Sequence, residues 1–190
     1  HQAGIAQEVE TLLKQVNTDV VSSIDSVSEQ IQYLIKGATM PEEIRDEILK
    51  QYKNIGSEFV AIRSSATAED GAEHAWAGQL SSYLNVTEQS VIERVQDCWA
   101  SLCTPRAIFY RFEKGLQEER ISVAVVVQKM VNSEKSGVAF SVHPVTQDSN
   151  QIIIEAGFGL GEAIVSGDIT PDSYVFHKLD NEIIDISVNT

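Results

Sequence analysis

The segment VAIRSSATAED at residues 60–70, which leads on into a second small-residue stretch ending in AWAGQ at residues 75–79, decides the fold around it. Its first three residues form a short apolar run that predicts the end of a buried strand. Arg63 follows at once, and the small or hydroxyl-bearing residues after it predict a flexible loop. A guanidinium offers fixed, forked donors for phosphate. Hydroxyls and unobstructed backbone N–H groups come from Ser64, Ser65 and Thr67.

This pattern indicates a phosphate site with Arg63 at its mouth. A strand end followed by an ordinary surface loop, with a solvated arginine, would give the same residues. The segment alone does not separate the two interpretations.

Length and composition exclude several classes of protein. With 190 residues, 43% hydrophobic and 22% charged, the chain is typical of a soluble globular protein. The net charge of −14 argues against binding nucleic acid or an anionic membrane, since both need clustered Lys and Arg. A small anion such as ATP needs only a local positive spot. Neither a membrane-spanning run nor a signal peptide is visible, so we expect a cytoplasmic protein.

Apolar residues at helical spacing predict five amphipathic helices, followed by strands. The expected helices cover residues 3–16, 25–37, 39–54, 87–102 and 104–115. The expected N-caps are Asp25 or Ser26 for the second helix, Thr39 for the third, Thr87 for the fourth and Thr104 for the fifth. Pro41 is expected in the first turn of the third helix, and Gly115 at the end of the fifth. The expected strands cover residues 60–62, 82–86, 121–131, 137–142, 152–154, 173–177 and 183–188. Helices first and strands last predict an α+β fold, in which residues 121–131 form a central strand.

Cysteine and histidine positions give no metal site. Cys98 and Cys103 are five residues apart on an expected helix, so their side chains point about 140° apart and should remain reduced, buried thiols. The four histidines are scattered without metal-ligand spacing. The glycine-rich GFGLGE at residues 157–162 lacks the spacing of a dinucleotide fingerprint. We expect it to be a strand connection, with Glu155 and Glu162 as the weak candidates for contacting Mg²⁺ or ribose.

Four segments together resemble one family. VAIRSSATAED with AWAGQLSSYLNV is similar to the nucleotide-binding part of the pyruvate phosphate dikinase and phosphoenolpyruvate synthase family, whose domain rifampin phosphotransferase also carries. CWASL at residues 98–102, VVVQKMV at 125–131 and GFGLGE continue the likeness in the family's order. The matches extend over residues 40–178.

The resemblance implies roles for individual residues. Arg63 would contact the ATP phosphates and is the catalytic candidate. Gly78 would contact ATP through its backbone, although it would also suit a turn with positive φ. Ser82 stands where relatives often have Thr near the nucleotide. Gln128 would contact the nucleotide from a buried strand, or else face solvent from an edge strand. Backbone groups for adenine would come from Lys129, Met130 and Val131.

The fold implied by the resemblance is a partial ATP-grasp domain, which clamps the base between two subdomains, with a mainly antiparallel C-terminal sheet. Residues 1–190 would be one excerpt of that domain. Its parts would be a helical lead-in (1–56), a phosphate-loop segment (57–86), a helical pair (87–118) and a β-rich part (119–190). The chain opens at His1 and closes directly after a strand-like segment, so we expect a longer parent protein.

The function implied by the resemblance is ATP binding within a dikinase-type phosphotransferase. ATP would pass its β-phosphoryl group to a carrier histidine in a downstream domain and then to an acceptor. The expected acceptor is pyruvate, as in phosphoenolpyruvate synthase; a rifamycin hydroxyl, or a non-catalytic nucleotide-binding module, is the alternative. Mg²⁺ would be required, with its ligands mostly outside this chain. The excerpt alone is expected to be inactive, because phosphoryl transfer also needs those missing groups.

Overall fold

Two compact units divide the chain, His1–Met130 and Val131–Thr190. The computed structural model describes residues 4–18, 20–66, 81–116 and 122–189. The helices are α1 (Ala6–Leu13), α2 (Val21–Gly37), α3 (Glu42–Ile55), α4 (Val91–Ala100), α5 (Pro105–Glu113) and α6 (Glu162–Val165), with a 3₁₀ turn at Ser101–Cys103. The strands are β1 (Val60–Ala66), β2 (Ser82–Val86), β3 (Val123–Lys129), β4 (Lys135–Phe140), β5 (Gln151–Phe158), β6 (Asp172–His177) and β7 (Glu182–Ser187).

A three-stranded antiparallel sheet in the order β2-β1-β3 organises the first unit. The run that precedes Arg63 is buried as predicted, with Val60 and Ile62 both at 0% exposure. The predicted strand end is wrong, because β1 continues to Ala66 through pairing with β3, so the residues from Arg63 to Ala66 are strand and not loop. Their face of the sheet packs against α3 and α4, where Tyr52 and Cys98 join the same core. The amphipathic helix expected over residues 39–54 buries its apolar side here, since the core also takes in Ile44, Ile48 and Leu49. One face of the sheet is thereby covered.

A second core lies among the helices. Val27 and Ile31 of α2 pack with Cys103, and residues of α1 lie against them. The hydroxyl of Ser28, which is fully buried, donates to the carbonyl of Cys103 at 2.7 Å. Both cysteines are free and buried, in agreement with the predicted thiols. They do not share one α-helix, because α4 ends at Ala100 and Cys103 closes the 3₁₀ turn.

The second unit is an antiparallel sheet in which strands adjacent in sequence are also neighbours, in the order β4-β5-β6-β7. Each of these strands was predicted, with β5 longer than expected. The glycine-rich segment leads from β5 through Gly159, at φ +83°, into α6, which has only four residues. It is therefore the strand connection that was predicted. The helix-rich first half and antiparallel second half confirm the α+β class.

Three predicted helix starts are wrong. The buried stripe of α2 begins at Ile24, so the helix starts at Val21 and takes Asp25 and Ser26 into its interior. Pro41 disfavours helical geometry at the residue before it, so α3 starts after Pro41 and not at a Thr39 cap. The Thr87 hydroxyl contacts the side chains of the following turn instead of a backbone N–H group. Ser90 is the N-cap of α4.

The last helix of the first unit follows its prediction. The Thr104 hydroxyl accepts a hydrogen bond from the Ala107 N–H group at 3.2 Å, and Pro105 occupies the first turn. Gly115 has φ +70°, which suits glycine after a helix end. Local sequence signals were sufficient here because cap, proline and glycine all act within one turn of the chain.

Residues 121–131 do not form a central strand within the described part of the sheet. There β1 is central, and β3 pairs only with β1. The side chains of β3 alternate, since Val125 and Val127 pack on the core while Val126 is 45% exposed. The valine-rich composition had suggested a strand buried on both faces, whereas only one face is covered.

Candidate functional site

Strand pairing in the first unit brings Ser82 and Val126 to either side of Arg63. Arg63 is paired with Ser82 of β2 and with Val126 of β3. Side chains of directly paired residues in an antiparallel sheet project from the same face. All three residues are exposed, so along this row the described part of the chain leaves the sheet uncovered.

Ser65 and Gln128 lie on the same face. Ser65 is two residues beyond Arg63 on β1, and Gln128 is two residues beyond Val126 on β3, so each shares its neighbour's side of the sheet. We call Arg63, Ser65, Ser82, Val126 and Gln128 the open face. Gln128 is exposed, which corrects its predicted position in a buried strand.

A bulge in β2 creates this arrangement. Val60 pairs with Val86, but the register shifts before Ile62, which pairs with Tyr83. Asn85 lies between them at φ +55°, a conformation that asparagine tolerates better than most residues. Without the extra residue, Ser82 would lie opposite Ser64 and point to the core. The bulge therefore turns Ser82 towards the open face and Tyr83 towards the core.

Ser64 is oriented differently from its two neighbours. Its hydroxyl donates to the Ser81 carbonyl at 2.9 Å, and its N–H group donates to the same oxygen at 3.2 Å. The Cys98 thiol lies 3.9 Å from that oxygen as a third donor. Burial, followed by the charge of Asp97, raises the pKa of Cys98 to about 11, so the thiol keeps its proton. Ser64 thus holds β1 to the start of β2.

The residues predicted to serve adenine lie beyond the open face. The N–H group of Met130 donates to the Phe59 carbonyl at 3.2 Å, and the Val131 carbonyl accepts from Ser133 at 3.0 Å. Those two backbone groups are therefore already paired within the protein. Lys129 is exposed at the end of β3, and Val131 is 72% exposed. Thr67 and Gly78 lie outside the described residues, as does His74.

The open face carries one cation and no carboxylate. Arg63 is its charged member, and the two serines and Gln128 add neutral hydrogen-bonding groups beside the apolar surface of Val126. Arg63 thus places one positive charge on the open face of a chain whose net charge is −14. Its chemistry suits an anionic group with further polar atoms. Within the described residues, no cluster of three His, Cys, Asp or Glu side chains could hold a metal ion.

Comparison with known proteins decides the family. The family described as "Pyruvate phosphate dikinase, AMP/ATP-binding domain" matches residues 1–190. The chain belongs to this family. The antiparallel sheets and the helix-rich first half agree with the ATP-grasp-like fold expected of such a domain. In the described residues, no helix has both the length and the apolar character needed to cross a bilayer.

Several relatives of this chain are named as phosphoenolpyruvate synthases or probable phosphoenolpyruvate synthases. A probable phosphoenolpyruvate synthase of Archaeoglobus fulgidus is 48% identical over 193 residues, which is 98% of this chain and 26% of that protein. Phosphoenolpyruvate synthase of Pyrococcus furiosus is 47% identical over 174 residues, 88% of this chain and 21% of that protein. A probable phosphoenolpyruvate synthase of Methanocaldococcus jannaschii is 40% identical over 97% of this chain and 16% of that protein. The chain thus spans about a quarter or less of these relatives, and it is a dikinase-type ATP-binding module.

The sequence did not predict that Val126 lies on the open face, or that the Ser64 hydroxyl is hydrogen-bonded within the sheet. Alternation along residues 123–129 contained a signal for the first, because Gln128 marks the side of the strand on which Val126 also lies. No sequence signal indicated the second. It depends on which strand β1 meets and on the register created at Asn85.

Proposed function

We propose that the open face of this AMP/ATP-binding domain contacts the phosphates of ATP, with Arg63 as the principal contact. The observation that carries the proposal is the row Ser82–Arg63–Val126, in which an exposed guanidinium lies between a hydroxyl and an apolar side chain. Membership of a family described by AMP and ATP binding supports ATP as the anion.

Arg63 would act by charge and geometry. Its planar guanidinium can donate two parallel hydrogen bonds to phosphate oxygens, which both fixes the phosphate and offsets its charge. Ser65 and Ser82 can donate hydroxyl hydrogen bonds from the same side of the sheet, and Gln128 can donate through its amide. Phosphoryl transfer depends largely on such positioning and charge stabilisation. One arginine without the other groups should bind ATP but not transfer a phosphoryl group.

We further propose that the parent protein passes the ATP β-phosphoryl group to a carrier histidine and then to pyruvate. The relatives are named phosphoenolpyruvate synthases, which supports pyruvate over a rifamycin hydroxyl as the acceptor. They also support an enzyme over a non-catalytic binding module. The carrier histidine and the acceptor site would lie in other domains of the parent protein.

Mg²⁺ is expected to accompany ATP. The open face contains no carboxylate, and the described residues hold no three-ligand cluster, so they do not by themselves fit a magnesium site. No step of the proposal depends on metal ligands from the described part of this chain.

The test is a titration of the isotope-labelled chain with Mg-ATP, followed by amide NMR. Shifts should concentrate at residues 60–66, 81–84 and 123–131. Arg63→Ala should weaken binding about ten- to hundredfold, since a hydrogen bond to a charged group contributes ~1.5–3 kcal/mol. Arg45→Ala is the matched control, because Arg45 is an exposed arginine on α3, whose apolar side packs on the covered face. Shifts located elsewhere, equal effects of the two substitutions, or no binding at millimolar ATP would contradict the proposal.

A further inference from the structure

A buried carboxylate ties two helices of the first unit together. Asp97 of α4 is 7% exposed and forms ion pairs with two cations. Its Oδ2 atom lies 2.7 Å from Arg94 Nη1, and its Oδ1 atom lies 3.0 Å from Lys36 Nζ on α2. A carboxylate removed from water needs such partners; the Arg94 contact is a charge-assisted hydrogen bond, and the Lys36 contact is an ion pair. The Asp97 carboxylate therefore holds the Arg94 guanidinium in position.

The same guanidinium covers the ring of Tyr83. Arg94 Cζ lies 5.2 Å from the centroid of that ring, within the range of a cation–π contact. Tyr83 is the residue next to Ser82 on β2, and it pairs with Ile62, the residue next to Arg63 on β1. Arg94 thus contacts the side of β2 that faces away from the open face, one residue from the candidate phosphate contacts.

The second connection between α4 and this strand pair comes from Cys98. Its thiol reaches the Ser81 carbonyl, the same oxygen to which Ser64 donates twice. Helix α4 therefore contacts the residues on both sides of Ser82: Ser81, which precedes β2, and Tyr83, the second residue of β2. These contacts lie beside the bulge that determines the direction of Ser82.

We propose that Arg94, held by Asp97, is a positioning residue for Ser82 and Arg63 at the phosphate contact, an inference that rests on the function proposed above. Through its contact with the Tyr83 ring, Arg94 keeps Tyr83 on the core side of the bulged strand. Ser82 is then kept on the open face beside Arg63. Arg94 itself does not reach the open face, so it would act on ATP binding only through Tyr83.

A purely structural role for Arg94, joining α2 to α4, is the competing explanation. The Gln96 amide already makes that connection, since it donates to the carbonyls of Ile35 at 3.3 Å and Ala38 at 2.8 Å. Lys36 adds its ion pair to Asp97 without Arg94. The contact that only Arg94 supplies is the one with the Tyr83 ring.

Two substitutions separate these roles. Arg94→Lys keeps a cation for Asp97, but a single ammonium lacks the extended planar guanidinium that contacts the carboxylate and the Tyr83 ring together. Tyr83→Leu keeps an apolar residue in the core and leaves the Arg94–Asp97 pair intact. Lys114→Met is the matched control, because Lys114 makes another cation–ring contact, 5.9 Å from the centroid of Tyr110 on α5. If either test variant fails to fold, the other decides.

The measurements are hydrogen exchange of the Ser64 amide and affinity for Mg-ATP, both on the full 190-residue chain. The Ser64 amide donates to the Ser81 carbonyl, so its exchange reports the β1–β2 alignment without any nucleotide. We expect faster Ser64 exchange in both variants, with ATP affinity reduced about three- to tenfold. The control should change neither quantity.

The outcomes distinguish this inference from the proposed function. If the unsubstituted chain binds ATP and both folded variants bind equally well with unchanged Ser64 exchange, the positioning role is wrong. If the unsubstituted chain does not bind ATP, the proposed function of this chain fails. Ser64 exchange then still shows whether Arg94 aligns the two strands, and unchanged exchange would refute that alignment.

Discussion

Replacing Ser64 with alanine tests whether this serine binds ligand or holds two strands together. The hydroxyl makes one neutral hydrogen bond, 2.9 Å long, to the Ser81 carbonyl. Its removal does not leave that carbonyl unpaired, because the Ser64 N–H group and the Cys98 thiol remain at 3.2 and 3.9 Å. The cost should therefore be that of one ordinary hydrogen bond, a loss of ~0.5–1.5 kcal/mol in the free energy of unfolding.

The assay is urea unfolding of the wild-type chain and of Ser64→Ala, followed by far-UV circular dichroism and tryptophan fluorescence. The transition of the first unit is the relevant one, because Trp99 packs on its core. Mg-ATP affinity is measured on the same samples. Ser64→Ala should lower stability while changing affinity less than Arg63→Ala does.

Ser65→Ala is the control, since Ser65 is the next residue on β1 and belongs to the open face. It should affect ATP affinity more than Ser64→Ala. The reasoning is refuted if Ser64→Ala leaves the unfolding free energy unchanged and weakens ATP binding as strongly as Arg63→Ala. Ser64 would then be a phosphate ligand, as the sequence had suggested.

Two further predictions concern the bulge and the thiols. Asn85→Val should lower the free energy of unfolding by ~1–2 kcal/mol, because a β-branched residue is strained at the φ of +55° found there. Asn85→Gly should fold normally. Urea unfolding measures both variants, and equal stability of the two would show that the bulge can relax. Burial raises the pKa of Cys98 and of Cys103 from 9.0 to about 11, so both thiols stay protonated in the folded state while the unfolded state ionises. Stability should be fully present below pH 9 and fall as pH rises towards 11, by up to ~2–3 kcal/mol per thiol. A double Cys→Ala variant should lose that component of the pH dependence, and an unchanged slope in the variant would contradict the assignment.

The sequence by itself determined the elements whose signals act locally. The strand at residues 82–86, the cap at Thr104, the glycine at 115 and the four strands of the second unit follow from composition and spacing within a few residues. The ordered motifs also identified the family, and the match over residues 1–190 confirms it. Local signals of this kind depend mainly on neighbouring residues, which is why the sequence indicated these elements.

Only the tertiary structure decided which way the candidate site residues point. Ser64, Ser65 and Ser82 are alike in the sequence, yet the first holds strands together while the other two lie on the open face. A strand alternates with a period of two, so the extra residue at Asn85 reverses the side on which Tyr83 and Ser82, the residues before it in β2, would otherwise lie. Helix α2 likewise starts at Val21 without a side-chain cap hydrogen bond, and not at the local cap that Asp25 or Ser26 suggested. Register arises from contacts between residues distant in the chain, which is why no local pattern contained it.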